Sequence, residues 1–379
     1  MSCRLFWVAT VLILISISSV NAEQDSWAIY GDSLCLAKII DERFVFSLKV
    51  YKNKLYGIAA VGNHKNIAIY SADGILSDSI VPGGVHGPDS AYIIGGIHNF
   101  AFDKKGNIWL MTKRAPIVID KKGRSRIVAQ YSQYESYGSI GIGKGNDVLL
   151  FTSMGIFKTS DAGNSWKHIK GIFPEITEPA KITVDGDTIW YDLIEAGANG
   201  IYFDKNGRYW AGSRFGLIYS DDDLESWYIG DSTAFSDNNF IRGQSMVIGI
   251  TSKDELMVRA PAYRLWVKAQ HKEPKLVFDL FSEYYKSKQT DNFRDFGHPV
   301  MLGNYIYYID CYYAMGGGGC FTPKKWLKSC INLSNDLGIT WKQYRFGKDV
   351  EISEVTVLGN SVFVSSNKGL LMIPLSCFH

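Results

Sequence analysis

Ser334-Asn335-Asp336-Leu337-Gly338-Ile339-Thr340-Trp341 is the stretch from which the rest of this 379-residue chain can be read. It sets a hydroxyl, an Asp two residues on, a Gly two further, a second hydroxyl two beyond that, and then Trp. Each residue type has a mechanical use in a tight connection between strands. A carboxylate at Asp336 can accept turn N–H groups, and Gly338 can take a positive φ that a Cβ would resist. Trp341 then opens the next strand and supplies a large apolar anchor. The same order returns at Thr159, Asp161, Gly163, Ser165 and Trp166. A third copy, Ser220, Asp222, Ser226 and Trp227, carries Leu224 in the glycine position and reads as eroded.

In these three motifs the chain resembles the Asp-box (BNR-repeat) β-propellers, a superfamily that includes sialidases. The resemblance implies an all-β fold with the motifs in hairpins between the third and outermost strand of a blade, away from the ligand face. Asp161, Asp222 and Asp336 are accordingly read as turn carboxylates and not as catalytic groups.

Outside the motifs, short β-rich runs alternate with Gly, Asn and Asp turns, and no long stretch of helical period occurs. One unit recurs: Asp103-Lys104-Lys105-Gly106 leads into NIWLMT, Asp204-Lys205-Asn206-Gly207 into RYWAGS, and five other turn-plus-strand pairs follow the same plan. The first two resemble repeats in sensor propellers of bacterial signalling proteins. Taking Leu55, Ile108, Val148, Tyr209, Leu256, Ile306 and Val362 as equivalent gives a period near 51 residues. That predicts a seven-bladed β-propeller of four-stranded antiparallel blades, with six blades as the alternative. The last unit has three strands after Asp349, and Ser26 to Ile40 has no blade of its own. Pairing the two closes the ring with an N-terminal strand and removes both sheet edges. Cys35 and Cys377 fall in those segments, so a bridge between them is expected. An extra hairpin is expected at Val184-Asp185-Gly186-Asp187.

Arg4, the apolar run from Leu5 to Val20 and the small residues Asn21-Ala22 predict a signal peptide over 1–22, with a single domain over 23–379. The expected location is secreted or periplasmic, with no membrane span once the signal is removed. The near-neutral formal charge of +2 gives no pull toward nucleic acid. Of the remaining cysteines, Cys311, Cys320 and Cys330 surround Gly316 to Gly319 in a long connection of the sixth unit. Cys320–Cys330 is the favoured bridge there and Cys311–Cys330 the alternative. The spacing is not that of a zinc site, so no metal is expected, and no cofactor is called for.

Propeller ligands bind at the mouth of the central channel, on loops leading into each blade and loops joining its second and third strands. The latter carry Lys65, Arg114, Arg214, Arg264 and Lys368; the former carry Glu135, Tyr284, Tyr285, Arg294 and Asp295. Arginines with aromatics on one face suit a carboxylate or sulfate on a glycan, or an acidic peptide. Sialidase chemistry asks for an early Arg-Ile-Pro, a Tyr nucleophile with a Glu and an acid. No Arg-Ile-Pro occurs, although Arg114-Ala115-Pro116 and Arg259-Ala260-Pro261 are superficially similar. The reading is therefore a binding module for a glycan or protein ligand, without chemistry of its own. The alternatives are a glycoside hydrolase or lyase, with acid/base groups among Glu135, Glu195, Asp237, Glu283 and Asp295, and an assembly factor for another exported protein.

Overall fold

The computed structural model describes residues 35–61, 64–80, 97, 99–112, 115–128, 139–152, 155–169, 182–184, 187–189, 201–213, 216–229, 246–260, 264–268, 275–279, 292–296, 299–314, 325–347 and 350–378. Seven antiparallel sheets follow one another along the chain. Blade 1 runs from Val45 to Ile80, blade 2 from Asn99 to Ile127, and blade 3 from Ser139 to Ile169. Blades 4, 5 and 6 run from Ile201 to Ile229, Met246 to Asp279 and Asn292 to Arg345. Blade 7 comprises Ile352–Leu358, Ser361–Ser366 and Gly369–Pro374, with Lys38–Asp41 as its outermost strand. This is a seven-bladed β-propeller. The separate hairpin is present too, with Val184 opposite Asp187.

Period-two alternation explains why second strands read as nearly unbroken apolar runs. Ile108 and Leu110 face the junction with blade 1, while Trp109 and Met111 face the junction with blade 3. Leu256 and Val258 face blade 4, whereas Met257 faces blade 6. A blade is thus apolar on both faces and needs a neighbour on each side. Among the described residues there is one buried cluster for each of the seven junctions.

The last junction is supplied by the chain ends. Lys38 pairs with Met372 and Ile39 with Leu371. Cys35 and Cys377 are joined in a disulfide, their Cα atoms 5.6 Å apart across 342 residues of sequence. The Tyr344 hydroxyl donates to the Cys35 carbonyl at 2.8 Å. At the end of that strand, Asp41 accepts from Arg43 Nε at 2.8 Å and from the Tyr70 hydroxyl at 2.5 Å. Burial opposes ionisation of Asp41, but the Arg43 and Tyr70 hydrogen bonds prevail and hold it below the usual carboxylate range. Gly369 makes the approach possible. Its φ is +105°, and a Cβ there would stand 2.2 Å from the Asp41 carbonyl oxygen.

All three hydroxyl–Asp motifs lie between the third and fourth strands of their blades, after Gly155–Thr159, Gly216–Ser220 and Lys325–Ser334. The wiring is shared. Thr159 Oγ1 donates to Asp161 Oδ1 at 2.8 Å and accepts the Gly163 N–H at 2.8 Å; Asp161 Oδ1 also accepts the Ser165 N–H. Ser334, Asp336, Gly338 and Thr340 repeat the pattern. The Leu224 copy keeps it as well: Leu224 N–H reaches Ser220 Oγ at 2.9 Å and Ser226 N–H reaches Asp222 Oδ1 at 2.8 Å. The sequence reading of an eroded motif is therefore corrected. Leu224 adopts φ +75° and is fully buried beside Trp227, Tyr209 and Ile218. Its side chain offsets the left-handed backbone, which costs about 1–2 kcal/mol, by filling the junction between blades 3 and 4.

Blade 6 also departs from the sequence reading. Its second strand extends through Cys311 to Ala314 and its third begins at Lys325, so Cys311 and Cys330 lie in strands and not in a loop. The Tyr- and Ile-rich run YIYYIDCYYA carries strong strand preference, which lengthens the hairpin. Cys330 is buried; Cys320, its expected partner, and Gly316 to Gly319 lie outside the described residues, as does the signal segment.

Two outcomes follow for stability, both measurable by urea unfolding. Gly369→Ala forces a Cβ against Asp41 and is expected to cost at least about 2 kcal/mol. Leu224→Gly restores the usual motif residue yet is expected to destabilise by about 1–4 kcal/mol, because the lost burial exceeds the relieved strain; a gain in stability would contradict that balance.

Candidate functional site

At most junctions first strands touch first strands. Ile352–Leu358 lies against Val45–Tyr51, which lies against Asn99–Phe102, and that against Ser139–Ile142; Met246–Ile250 touches both Ile201–Phe203 and Val300–Leu302. These strands wall the central channel. Because every blade is antiparallel, its first-to-second and third-to-fourth turns share one end of the channel, and its second-to-third connections the other.

The turn end is built from carboxylates spent on structure. In blade 2, Asp103 accepts the Asn107 N–H at 2.9 Å and the Trp109 indole N–H at 3.2 Å. In blade 4, Asp204 accepts the Arg208 N–H at 3.0 Å and the Trp210 indole N–H at 3.1 Å. Both carboxylates are buried, and both are satisfied by the turns they organise. The residue after each turn opening then reaches the next blade. Lys104 N–H donates to Asn146 Oδ1, Lys144 N–H to the Tyr209 hydroxyl at 2.9 Å, and Lys205 N–H to Asp254 Oδ1 at 3.0 Å. The backbones of these lysines are clasped while their side chains are exposed. Between blades 3 and 4, Lys158 is buried with its ammonium 2.8 Å from Asp147 and paired also with Asp223.

The channel wall has two unlike sectors. Across blades 7, 1 and 2 it is polar. Glu354 accepts the Leu48 N–H at 3.0 Å, and Ser47 Oγ donates to Asn99 Oδ1 at 3.1 Å. Ser47 sits at a break in strand register with φ +53°, which turns the Leu48 amide toward blade 7. Burial pushes the Glu354 carboxyl up; Lys49 and the Leu48 and Ser47 amides pull against that and only reduce it. Across blades 3 to 6 the lining side chains carry no charge, and main-chain polar atoms share the exposed surface with them. Ile142, Ile201, Tyr202, Ile248, Gly249, Ile250, Met301 and Gly303 line a cavity of about 410 Å³. The Tyr202 hydroxyl is spent on the Ile248 carbonyl at 3.0 Å. Met301 crosses Gly249 so closely that a Cβ there would meet its Sδ at 2.4 Å.

Known proteins resemble this geometry in fold. No family model matches the chain, and no curated protein does. Solved structures match it along most of its length. A streptogramin B lyase is 13% identical, with a TM-score of 0.52, covering 90% of this chain and 95% of that one. The virginiamycin B lyase of Staphylococcus aureus with quinupristin is 11% identical, with a TM-score of 0.51, covering 88% and 95%. YCF48 bound to D1 peptide is 12% identical, with a TM-score of 0.51, covering 90% and 95%. At such identities these are likenesses of architecture.

Arg114, Arg214, Glu135, Tyr284 and Tyr285 lie outside the described residues, as do Glu195, Asp237 and Glu283. Arg264 opens the third strand of blade 5, opposite Ala260 and Asp279, with its side chain outside the described set. Three placements differ from the sequence reading. Lys65 lies within the third strand of blade 1, because Val61 already pairs with His64; its ammonium donates to the Ile97 carbonyl at 2.9 Å and covers the Phe46 ring. Arg294 and Asp295 lie within a first strand of blade 6, opposite Tyr312 and Cys311. The Glu354–Leu48 link and the cavity were not foreseen, since their members are far apart in sequence and each resembles an ordinary strand residue.

Glu354 supplies a pH test. With its folded pKa raised, the stability it lends is fully present below the unfolded value of about 4.3 and is lost as pH rises through the folded value. Glu354→Gln keeps an acceptor for Leu48, so it is expected to raise stability at neutral pH and flatten the pH profile above 4.3. Urea midpoints measured across that range check it; an unchanged slope would refute the assignment.

Proposed function

We propose that this chain is an exported β-propeller binding module that recognises an anionic protein or glycan ligand at the mouth of the channel served by its second-to-third connections. The observation that carries this reading is positional. Arg114 falls between Ile108–Met111 and Ile117–Ile119, Arg214 between Tyr209–Ser213 and Gly216–Ser220, and Arg264 opens a third strand. In antiparallel blades those positions share one end, which supports convergence of three guanidinium groups on a carboxylate, sulfate or acidic peptide. Export is supported by the apolar N-terminal run and by the Cys35–Cys377 disulfide, since such bonds persist in oxidising compartments.

The Asp-box wiring described above supports a place among the BNR-type propellers. The same architecture carries a peptide in the YCF48 complex and serves lyases elsewhere. A second reading, a glycoside hydrolase or lyase, therefore rests on the scaffold, with acid/base groups among Glu135, Glu195, Asp237, Glu283 and Asp295.

Charge reversal at Arg114, Arg214 and Arg264 together is expected to weaken binding to sulfated or carboxylated glycans, or to a co-purified protein ligand, by at least about tenfold, with the unfolding midpoint unchanged. Unaltered affinity would place the ligand elsewhere. Turnover of fluorogenic sialosides or polysaccharides, abolished by a single Glu→Gln change, would replace the binding reading with the enzymatic one.

A further inference from the structure

We propose that the turn-side face of blades 1 and 2 docks this protein on an anionic lipid bilayer, with phosphatidylglycerol-type headgroups supplying the opposite charge. The near-neutral sum of the chain conceals an uneven distribution. Lys52 opens and Lys54 closes the first turn of blade 1, Lys104 and Lys105 lie in the first turn of blade 2, and Lys121 and Lys122 in its third-to-fourth turn. All of these lysines are exposed, and among the described residues none of them forms an ion pair. The carboxylates in the same turns are Asp73, hydrogen-bonded by Ser71, Asp103, buried in its own turn, and Asp120, paired with Arg124 at 2.6 Å. They leave a clear excess of positive charge.

Contacts within the face bring lysines of both blades together. The Lys52 ammonium lies 5.3 Å from the centre of the Tyr51 ring, which stacks on Phe102 of blade 2 at 4.2 Å. A Cβ at Gly106 would stand 3.0 Å from the Tyr51 hydroxyl and 3.1 Å from Lys121 Cε, so Lys52 and Lys121 gather about one ring. The turns are tight: Gly106 N–H closes on the Asp103 carbonyl and Gly123 N–H on the Asp120 carbonyl, each at 2.9 Å. Apolar side chains stand exposed at the same end of blade 1, Val50 by 43%, Ile75 by 64% and Leu76 by 46%. Val50 lies just before the first turn, and Ile75 and Leu76 just after the third-to-fourth turn. A nucleic acid or sulfated glycan would be met by the lysines alone. A bilayer engages both sets, because headgroup phosphates overlie acyl carbon that isoleucine and leucine can enter, and a tyrosine ring suits the boundary between them. Blade 4 carries Asp221, Asp222, Asp223 and Glu225 in its own turn, so contact is confined to the sector of blades 1 and 2. This face is at the opposite end of the channel from the arginine-bearing connections. A docked molecule therefore turns that mouth away from the lipid, and either proposal can fail alone.

The test is co-sedimentation with vesicles of phosphatidylcholine alone, or with about one-third phosphatidylglycerol, at about 0.1 M salt. The chain from Glu23 onward is used, so that the apolar N-terminal run cannot bind lipid by itself; among the described residues every strand lies from Lys38 on. Binding is expected to the anionic vesicles only, and is expected to fall away at about 1 M salt, where charges are screened within about 3 Å. Each lysine near the surface contributes up to about fivefold, so K52E/K104E/K121E should lower the partition coefficient by about a hundredfold. I75S/L76S, which leaves the charge unchanged, should lower it by about fivefold or more. K253E, in the first turn of blade 5, should have little effect. Circular dichroism melts report whether each variant folds, and K54E/K105E/K122E decides if the first charge variant does not. The proposal is overturned if neutral and anionic vesicles bind alike, or if the charge variant binds as the parent does. It is overturned equally if I75S/L76S binds unchanged while heparin competes fully, which would mark a site for a soluble polyanion.

Discussion

Every blade in this molecule is apolar on two faces, and that single constraint compels the rest. A sheet with one apolar face is satisfied by one neighbour, but a sheet with two leaves an open face at the end of any finite row. Bending the row into a ring is the solution here, at the cost of one junction that the chain cannot make between consecutive segments. Lys38–Asp41 makes it by pairing with Gly369–Pro374, and the Cys35–Cys377 bond holds the two ends in register. Loop-closure entropy grows only with the logarithm of length, so joining residues so far apart costs little more than joining much nearer ones. The glycine at 369 follows from the same demand, because the returning strand passes too close for any side chain.

Carboxylates are the second recurring device, and their use divides the molecule into two ends. Asp161, Asp222 and Asp336 each accept a hydroxyl and a main-chain N–H inside a third-to-fourth turn. Asp103 and Asp204 each hold a first-to-second turn and tie it to a tryptophan of the second strand. In Asp161 the Ser165 hydroxyl and amide hold the carboxyl well below the usual range, so the turn keeps its charge through all but strongly acid conditions. At this end the turns are hydrogen-bonded one by one through their own carboxylates. The opposite end has no such periodic wiring in the sequence, and there the chain varies most in length between units.

How much of this could be read beforehand depends on what each feature demands of the residues. Second strands were plain, because burial on both faces leaves runs such as IWLM between turn signals, and seven of them gave the blade count. Closure was readable from a deficit: three strands at one end and an unassigned β segment at the other. Leu224 misled because the glycine rule concerns φ, and a buried leucine can sustain a positive φ when its side chain fills a junction. First strands were harder. That of blade 6 is split into Asn292–Phe296 and Val300–Leu302 and carries Arg294 and Asp295, which resemble loop residues. The cavity could not be read at all, since Ile142, Tyr202, Ile248 and Met301 come together only when four blades are placed side by side.

The channel itself shows why a ring of similar blades need not have a uniform interior. Where blade 7 meets blade 1, the first strand carries the Ser47 break, and the amide it frees must find an acceptor away from its own sheet; Glu354 provides one, and Ser47 Oγ passes the connection on to Asn99. That sector is bound to be polar, because an irregular strand exposes main-chain groups that only polar side chains can satisfy. Across blades 3 to 6 the wall presents isoleucine, methionine and a tyrosine ring, and the register break at Gly249 is covered by Met301 instead of a polar side chain. The uncharged side chains of one sector are thus a consequence of how the first strands are covered in those blades, and the polar side chains of the other of how the ring is closed.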